Sequence, residues 1–403
     1  MKRQEEEQIM TYQELKDEEQ LYLMHTYGRF PVALDHGKGA TLWDTEGKKY
    51  IDMTSGIGVN SLGHDNAALV DALTVQAHKL MHASNLYLTE PMVQVAKELV
   101  TSCEMGKIFF SNSGAEANEG MIKLARKYSF DKYGEGRNKI ITLKQSFHGR
   151  TVTTLKATGQ EKFHQYFFPF TEGFDYAAAN DIEDLKSKID DSVCAVMMEM
   201  IQGEGGVLPL DSEYVEQAAA ICKEKDILFL IDEVQTGIGR TGSLFCYEQY
   251  GIKPDAVSMA KGLGGGVPVG AVMASEKCAD VLGAGTHGTT FGGNPFCCTA
   301  AQTVLSIVNK PEFLKEVRDK GEYLKDSIQS LGSSKVKTVR GMGLMLGIVV
   351  DKEIRASLVN QLLEKGVLAL TAGEEAIRLL PPLVISYEEM DSAVAVMKEV
   401  FGA

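Results

Sequence analysis

The sequence predicts an α/β protein with a parallel or mostly parallel sheet, followed by a smaller α+β domain. Short apolar runs recur between residues 106 and 260, each followed by a helix-like segment: KIFF, KIITL, AVMMEMI, ILFLI and AVSMA. Such alternation is typical of a parallel sheet that is covered on both faces. After about residue 305 the pattern changes to a helix, a hairpin-like run at 335–350 and then helix, strand and helix. The 403 residues also exceed the usual size of one core, which favours two domains.

Three elements are predicted before residue 106. Residues 5–24 are charged with scattered apolar positions, which indicates a short surface helix or an arm. Residues 39–53 alternate around Glu46-Gly47, as expected for a hairpin. Residues 67–82 have helical periodicity.

Composition excludes several classes of protein. The formal net charge of −14 argues against non-specific nucleic-acid binding. No apolar run approaches the roughly 18–20 residues of a membrane span, and the N-terminal stretch has no signal-peptide pattern. The seven cysteines form no C-x-x-C pair, so no metal site is predicted and we expect reduced thiols in a cytoplasmic protein.

The stretch LFLIDEVQTGIGRTG, residues 228–242, raises the possibility of a dinucleotide-binding loop. Its glycines fit G-x-G-x-x-G, but a Rossmann loop requires them directly after a strand and at the start of a helix. Here five residues separate the glycines from the apolar run, and only a weak helical pattern follows. A second cluster, GLGGGVPVG, has Val267 where the third glycine belongs. We therefore interpret the glycines as loop residues and keep a nicotinamide-dependent oxidoreductase as an alternative.

Two charged residues at predicted strand ends suggest a cofactor. Asp232 ends one apolar strand and Lys261 follows another, at the edge where open α/β sheets bind ligands. A desolvated lysine becomes a nucleophile toward carbonyls, while a buried aspartate requires a cation. Pyridoxal phosphate carries both a carbonyl and a basic ring nitrogen. A buried Asp–Lys ion pair without a cofactor is the alternative.

The segment FFSNSGAEANEGMIKLARKY offers a phosphate site. The strand KIFF leads to Ser113, Gly114 and Ala115, and a helix follows. Free N–H groups at a helix N-terminus bind phosphate. The same residues with Glu116 also form an S-x-x-E capping box, which would satisfy those donors internally, so both interpretations stay open.

Ten motifs follow one another nearly from end to end of the chain. They are GIGVNSLGH, ASNLY, FFSNSGAEANE, QSFHGRT, EMIQGEGG, LIDEVQTGIGRTG, MAKGLGGGVPVGA, HGTTFGGNP, RGMGLMLGI and IRLLPPL. In this order they resemble the class-III aminotransferases, the fold-type-I family of pyridoxal-phosphate enzymes. The resemblance implies a large domain at 60–305 with a mostly parallel seven-stranded sheet, and a small α+β domain from 1–59 and 306–403.

The resemblance also implies roles for individual residues. Lys261 is similar to the Schiff-base lysine, which also moves the substrate proton, and Asp232 to the residue that keeps the pyridine nitrogen protonated. The other implied cofactor-binding residues are Ser113, Gly114 and Ala115 at the phosphate, Phe147 and Val234 on the ring faces, Gln235 at the phenolic oxygen, His148, Glu199 in the hydrogen-bond network of the ring, and Thr290, which crosses a homodimer interface to the partner's phosphate.

The implied substrate-binding residues suit a dicarboxylate. Arg150 and Arg378 resemble the two guanidinium groups that hold 2-oxoglutarate, and Glu204 resembles a switch that masks Arg378 when the amino donor has a single carboxylate. Tyr27, Ile57 and Thr289 complete the predicted pocket.

Within the family, the motifs are most similar to the branch that transfers the δ-amino group of N2-acetylornithine to 2-oxoglutarate in arginine synthesis. Ile57 lies where ornithine-specific relatives tend to carry tyrosine, which leaves room for an acyl group. Ornithine, succinylornithine or 4-aminobutyrate as the donor remain alternatives within the family. A non-catalytic binding protein of the same fold is an alternative outside it.

Overall fold

The computed structural model describes residues 9–402. The strands are β1 Leu34–Lys38, β2 Thr41–Asp44, β3 Lys49–Asp52, β4 Lys107–Ser111, β5 Lys139–Leu143, β6 Phe174–Ala177, β7 Val193–Met198, β8 Ile201–Gln202, β9 Leu208–Pro209, β10 Leu228–Asp232, β11 Ala256–Met259, β12 Gly270–Ala274, β13 Thr338–Met342, β14 Met345–Val349, β15 Val367–Leu368, β16 Leu370–Ala372 and β17 Ala376–Leu379.

Helices surround these strands. They are α1 Tyr12–Tyr22, α2 Ser55–Gly58, α3 Ala67–Lys79, α4 Glu90–Ser102, α5 Gly114–Tyr133, α6 Val152–Ala157, α7 Ile182–Lys188, α8 Gly203–Gly206, α9 Ser212–Glu224, α10 Pro295–Val308, α11 Pro311–Gln329, α12 Lys352–Glu364 and α13 Tyr387–Phe401, with 3-10 turns at Glu161–Phe163, Cys246–Tyr250 and Lys261–Gly264. Between residues 9 and 402, no helix combines the length and the apolar character needed to cross a membrane.

The central sheet has seven strands in the order β4-β12-β11-β10-β7-β5-β6. Only β12 runs antiparallel to its neighbours, so the prediction of a mostly parallel sheet is confirmed. Successive residues of β10 face opposite sides: Leu228 and Leu230 join one apolar cluster, and Phe229 and Ile231 join another. Burial on both faces explains why these strands read as unbroken apolar runs.

One of the three smaller sheets, β1-β2-β3-β15, joins the two ends of the chain. The predicted hairpins are confirmed: β2 pairs antiparallel with β3, and β13 pairs antiparallel with β14. Short β15 then adds to β3 in parallel, with Val367 opposite Ile51. This pairing agrees with a unit built from both termini, although the boundaries 60–305, 1–59 and 306–403 stay a prediction. Of the predicted N-terminal helix, Tyr12–Tyr22 is helical and has no buried residue, while residues 5–8 lie outside the described part.

The direction of the strands brings distant segments to one edge of the sheet. Strands β4, β10 and β11 run the same way, so residues 112–114, Asp232 and Lys261 follow their carboxyl ends at this edge. Because β12 runs the opposite way, its first residue Gly270 pairs with Ser111 at the same edge. Open α/β sheets bind ligands here.

Candidate active site

A cavity of about 420 Å³ opens at this edge of the sheet. Most of the predicted cofactor-binding residues line it. Its lining consists of Val59, Asn112, Ser113, Gly114, Ala115, Asn118, Phe147, His148, Gly149, Arg150, Glu199, Glu204, Asp232, Val234, Gln235, Ala260, Lys261, Gly266, Val267, Pro268 and Val269.

Asp232 is a buried carboxylate held by three donors. Its Oδ2 accepts hydrogen bonds from Asn118 Nδ2 at 2.7 Å and pairs with His148 Nδ1 at 2.8 Å. Its Oδ1 accepts the backbone N–H of Val234 at 3.0 Å. These contacts orient the carboxylate at the end of β10 while leaving it on the cavity wall, where it can meet a cationic group of a ligand.

Lys261 begins a 3-10 turn directly after β11 and has a left-handed backbone, with φ of +45°. Its side chain is half-buried and reaches the cavity. Burial lowers the pKa of Lys261, and this effect exceeds the opposing attraction of nearby carboxylates, of which Glu204 is the strongest. A larger share of the amine is therefore neutral near pH 7 than for a surface lysine.

The N-terminus of α5 presents donors to the cavity. Ser113 Oγ accepts the N–H of Glu116 at 3.2 Å, but the Glu116 carboxylate accepts the N–H of Asn112 at 2.6 Å instead of returning to Ser113. The capping box is therefore only half formed. The N–H groups of Gly114 and Ala115 have no acceptor among the described residues. Both residues line the cavity at the first turn of α5, where free N–H groups can bind a phosphate.

Glu199 lies deep in the same wall. Its Oε2 accepts the N–H of Phe147 at 2.9 Å. Burial, with the charge of Asp232 as the next cause, raises the pKa of Glu199 well above its ordinary value. A raised pKa favours the protonated carboxyl group, which can donate a hydrogen bond to an oxygen in the cavity.

The two predicted substrate arginines differ in their partners. Arg378 is buried and its Nη1 contacts Glu204 Oε1 at 2.5 Å and Gln235 Oε1 at 3.1 Å. Burial alone would raise the pKa of Glu204, but Arg378 outweighs it and the net pKa is lowered. Arg150 is exposed at the cavity, and its guanidinium lies over the ring of Phe163 at 4.2 Å. One guanidinium is thus masked by a carboxylate and the other is open.

Five predicted residues lie outside the cavity lining. One of them, Arg378, contacts the lining residues Glu204 and Gln235. Tyr27 is 74% exposed and lines a separate cavity between the N-terminal segment and β15. Ile57 is 44% exposed and lies in a run of four residues with positive φ, from Ser55 to Gly58. Thr289 Oγ1 accepts a hydrogen bond from Asn112 at 3.2 Å, and Thr290 is exposed. Within one chain these residues do not complete the site, so their roles stay predictions.

The glycines of GIGRTG form a packed turn and no helix begins after them. Gly239 and Gly242 have φ of +82° and +89°, and a Cβ on Gly239 would approach Val308 Cγ1 to 2.5 Å. Between them Arg240 is buried and donates to the carbonyls of Leu344 at 3.0 Å and Pro381 at 2.5 Å. The glycines therefore serve packing, as interpreted from the sequence, and not dinucleotide binding.

Asn118 is a site residue that the sequence analysis did not single out. Besides Asp232, its Nδ2 binds the carbonyl of His148 at 2.7 Å, so it joins two walls of the cavity. Asn118 lies one turn after Gly114 and beside the buried Ala117. A polar residue on the buried face of an amphipathic helix was the available signal.

Comparison with known proteins gives the family. The family model Aminotransferase class-III matches residues 22–401. The acetylornithine aminotransferase of Haemophilus ducreyi is 50% identical over 395 residues, which cover 98% of this chain and 100% of the relative. The crystal structure of acetylornithine aminotransferase from Elizabethkingia anophelis has a TM-score of 0.87 at 33% identity, covering 97% of this chain and 99% of that one. An ornithine aminotransferase structure from Toxoplasma gondii has a TM-score of 0.94 at 30% identity, covering 98% and 94%.

The chain belongs to the class-III aminotransferases. It has the fold-type-I architecture of that family and is a transaminase that uses pyridoxal phosphate. The alternative of a nicotinamide-dependent oxidoreductase is therefore wrong.

The residues of the cavity fit that cofactor. Two buried polar atoms on its wall, His148 Nε2 and Asn118 Oδ1, have no partner among the described residues. The close approach of α5 to the strand end also depends on glycine, because a Cβ on Gly114 would lie 2.6 Å from Val234 Cγ1. A carboxylate, an amine, free N–H groups and an aromatic face thus converge on one cavity.

Proposed function

We propose that this transaminase transfers the δ-amino group of N2-acetylornithine to 2-oxoglutarate, giving N-acetylglutamate semialdehyde and glutamate. The relatives at 44–50% identity that carry the name acetylornithine aminotransferase support this donor. The observation that carries the proposal is the unequal pair of guanidinium groups: Arg150 is open, and Arg378 is masked by Glu204 at 2.5 Å.

Bound pyridoxal phosphate supplies the electron sink for the charge that develops on the substrate carbon. The neutral amine of Lys261 is suited to hold the cofactor and to carry the proton of that carbon. We assign Asp232 to the ring nitrogen, because its carboxylate is fixed by Asn118 and His148. Gly114 and Ala115 would bind the phosphate through their N–H groups.

Residues of the same cavity wall would also contact the ring of the cofactor. Phe147 and Val234 line the cavity and would pack on the two faces of the ring, with Gln235 and Glu199 near its phenolic oxygen. Because its pKa is raised, Glu199 would reach that oxygen as a neutral donor.

The two guanidinium groups distinguish the two substrates. N2-acetylornithine presents one carboxylate, which Arg150 can bind while Glu204 keeps Arg378 paired. The carboxylate beside the keto carbon of 2-oxoglutarate has no counterpart beside the δ-carbon of N2-acetylornithine. It would replace Glu204 at Arg378, through rotation of a side chain that is 31% exposed. This exchange lets one pocket accept substrates with and without a carboxylate beside the reacting carbon.

The assembly and location belong to the same proposal. We infer a homodimer in which Thr290, which is exposed in the single chain, reaches the phosphate of the partner's site. Exposed apolar residues of the N-terminal segment, among them Leu21, Leu23 and Tyr27, agree with such an interface. We expect the reaction in the cytoplasm, as a step of arginine synthesis.

The test is to measure kcat/KM for N2-acetylornithine, ornithine and 4-aminobutyrate in parallel, each with 2-oxoglutarate. We expect a clear preference for N2-acetylornithine. A preference for ornithine or 4-aminobutyrate would contradict the donor assignment and leave the cofactor site standing. A yellow protein that turns over none of the three amines would show that the amino donor is a different compound.

A further inference from the structure

Arg150 is oriented by aromatic rings and not by polar groups. Its guanidinium makes no hydrogen bond or ion pair with any of residues 9–402 that carry described side chains. It lies 4.2 Å from the ring centroid of Phe163 and 5.5 Å from that of Phe147. The two rings meet edge to face at 6.1 Å. A cation held in this way keeps its N–H edge free for a ligand.

Phe163 is half-buried, and its 3-10 turn is hydrogen-bonded to the loop after β5 that carries Phe147 and Arg150. The N–H of Phe163 donates to the carbonyl of Gln160 at 3.0 Å. Gln160 Nε2 in turn donates to the carbonyl of Ser146 at 2.9 Å, one residue before Phe147. These two hydrogen bonds connect the backbone of Phe163 to the loop that carries Arg150.

The long side chain of an exposed arginine otherwise samples many rotamers, and binding a carboxylate costs that freedom. Stacking on Phe163 removes part of the cost before the substrate arrives. Lys162 approaches the same ring, with Nζ 4.9 Å from the centroid, but its ammonium has no planar face to stack and lies outside the cavity lining.

We propose that Phe163 is a positioning residue that holds Arg150 ready for the substrate carboxylate and so sets the affinity for dicarboxylates. This inference rests on the assignment of Arg150 to a carboxylate in the proposed function. It does not depend on which amine is the donor, because 2-oxoglutarate and glutamate present the same carboxylates with every donor considered.

The test uses the holoenzyme and glutarate, an unreactive dicarboxylate, with Kd measured by calorimetry. Phe163→Leu keeps apolar bulk and removes the aromatic face. Loss of an exposed cation–π contact of this kind corresponds to a roughly two- to fivefold increase in the Kd for glutarate. The maximal rate of the half-reaction with L-glutamate and the cofactor absorbance should stay unchanged. Phe163→Tyr, which keeps the ring, should restore the original Kd.

Two controls separate positioning from general damage. Phe167→Leu makes the same change four residues away, at a ring that contacts Tyr166 and not Arg150, and should leave Kd unchanged. In an Arg150→Lys background, Phe163→Leu should have no further effect, because the stacked guanidinium is already absent.

The outcomes are decisive in both directions. An unchanged Kd in Phe163→Leu overturns the inference, as does an equal loss in the Arg150→Lys background. A failure of N2-acetylornithine turnover with the expected glutarate result overturns only the donor assignment.

Discussion

Replacing Glu204 by glutamine should make the enzyme bind glutamate more tightly. Glu204 Oε1 lies 2.5 Å from Nη1 of Arg378, and Arg378 is only 2% exposed. A dicarboxylate must displace Glu204 before Arg378 can accept it. Glutamine keeps the shape and one hydrogen-bond acceptor, but it lacks the charge that competes with the substrate.

The size of the effect follows from the bond that the substrate breaks. A hydrogen bond to a charged group contributes about 1.5–3 kcal/mol. Because Glu204 is 31% exposed, solvent weakens the pair, so we take the lower part of that range, about 1.5–2 kcal/mol. This corresponds to a roughly 10- to 30-fold lower KM for L-glutamate.

The assay is the half-reaction with L-glutamate, followed by the absorbance of the cofactor, with N2-acetylornithine measured alongside. Tighter binding of glutamate, with no gain for N2-acetylornithine, is the expected result. Equal changes for both amines would refute the reasoning, because they would show that Glu204 does not compete with the α-carboxylate of glutamate. A lower affinity for glutamate would show that Arg378 is not a substrate-binding group.

Four further outcomes are expected. Lys261→Ala should abolish the yellow absorbance and the half-reaction, with far-ultraviolet circular dichroism unchanged as the control for folding. Asp232→Asn should lower kcat by several orders of magnitude and keep the fold, which steady-state kinetics can check; a loss below tenfold would contradict the assignment to the ring nitrogen. Arg240→Met should lower the free energy of unfolding in urea by about 2–4 kcal/mol, because the buried carbonyls that it satisfies lose their donor. The pKa of Glu204 is lowered in the folded state, so its pair with Arg378 stabilises the fold at pH values above the ordinary glutamate pKa. This stabilisation is lost as the pH falls through the lowered pKa. The difference in unfolding free energy between the wild type and Glu204→Gln should therefore become smaller in acid.

Much of the central sheet could be predicted because its strands are buried on both faces. Each strand therefore appears in the sequence as an apolar run, which can be recognised without knowing its neighbours in the sheet. Strand β12 was missed, since Gly270 begins it and glycines crowd the preceding residues. The antiparallel direction of this strand brings residues 266–269 to the cavity, which no local pattern of residues indicates.

Some residues of the site could be predicted from the sequence, and others could not. Asp232 and Lys261 could be placed from the residues alone, since each follows an apolar strand at the same edge of a parallel sheet. The contact between Glu204 and Arg378 joins residues 174 positions apart, so only the resemblance to the family suggested it. Phe163 gave no sequence signal, because an aromatic residue in a loop has no periodicity to reveal its partner.

The backbone at Ile57 links specificity to stability. Ile57 has φ of +66°, and a β-branched residue in this region costs on the order of 1–3 kcal/mol. Glycine or asparagine would relieve that strain and also remove the apolar side chain for which we predict a role in the choice of the amino donor. Laboratory evolution for heat resistance alone should therefore drift toward small residues at position 57, and the variants that survive best should be the ones that discriminate worst between amines.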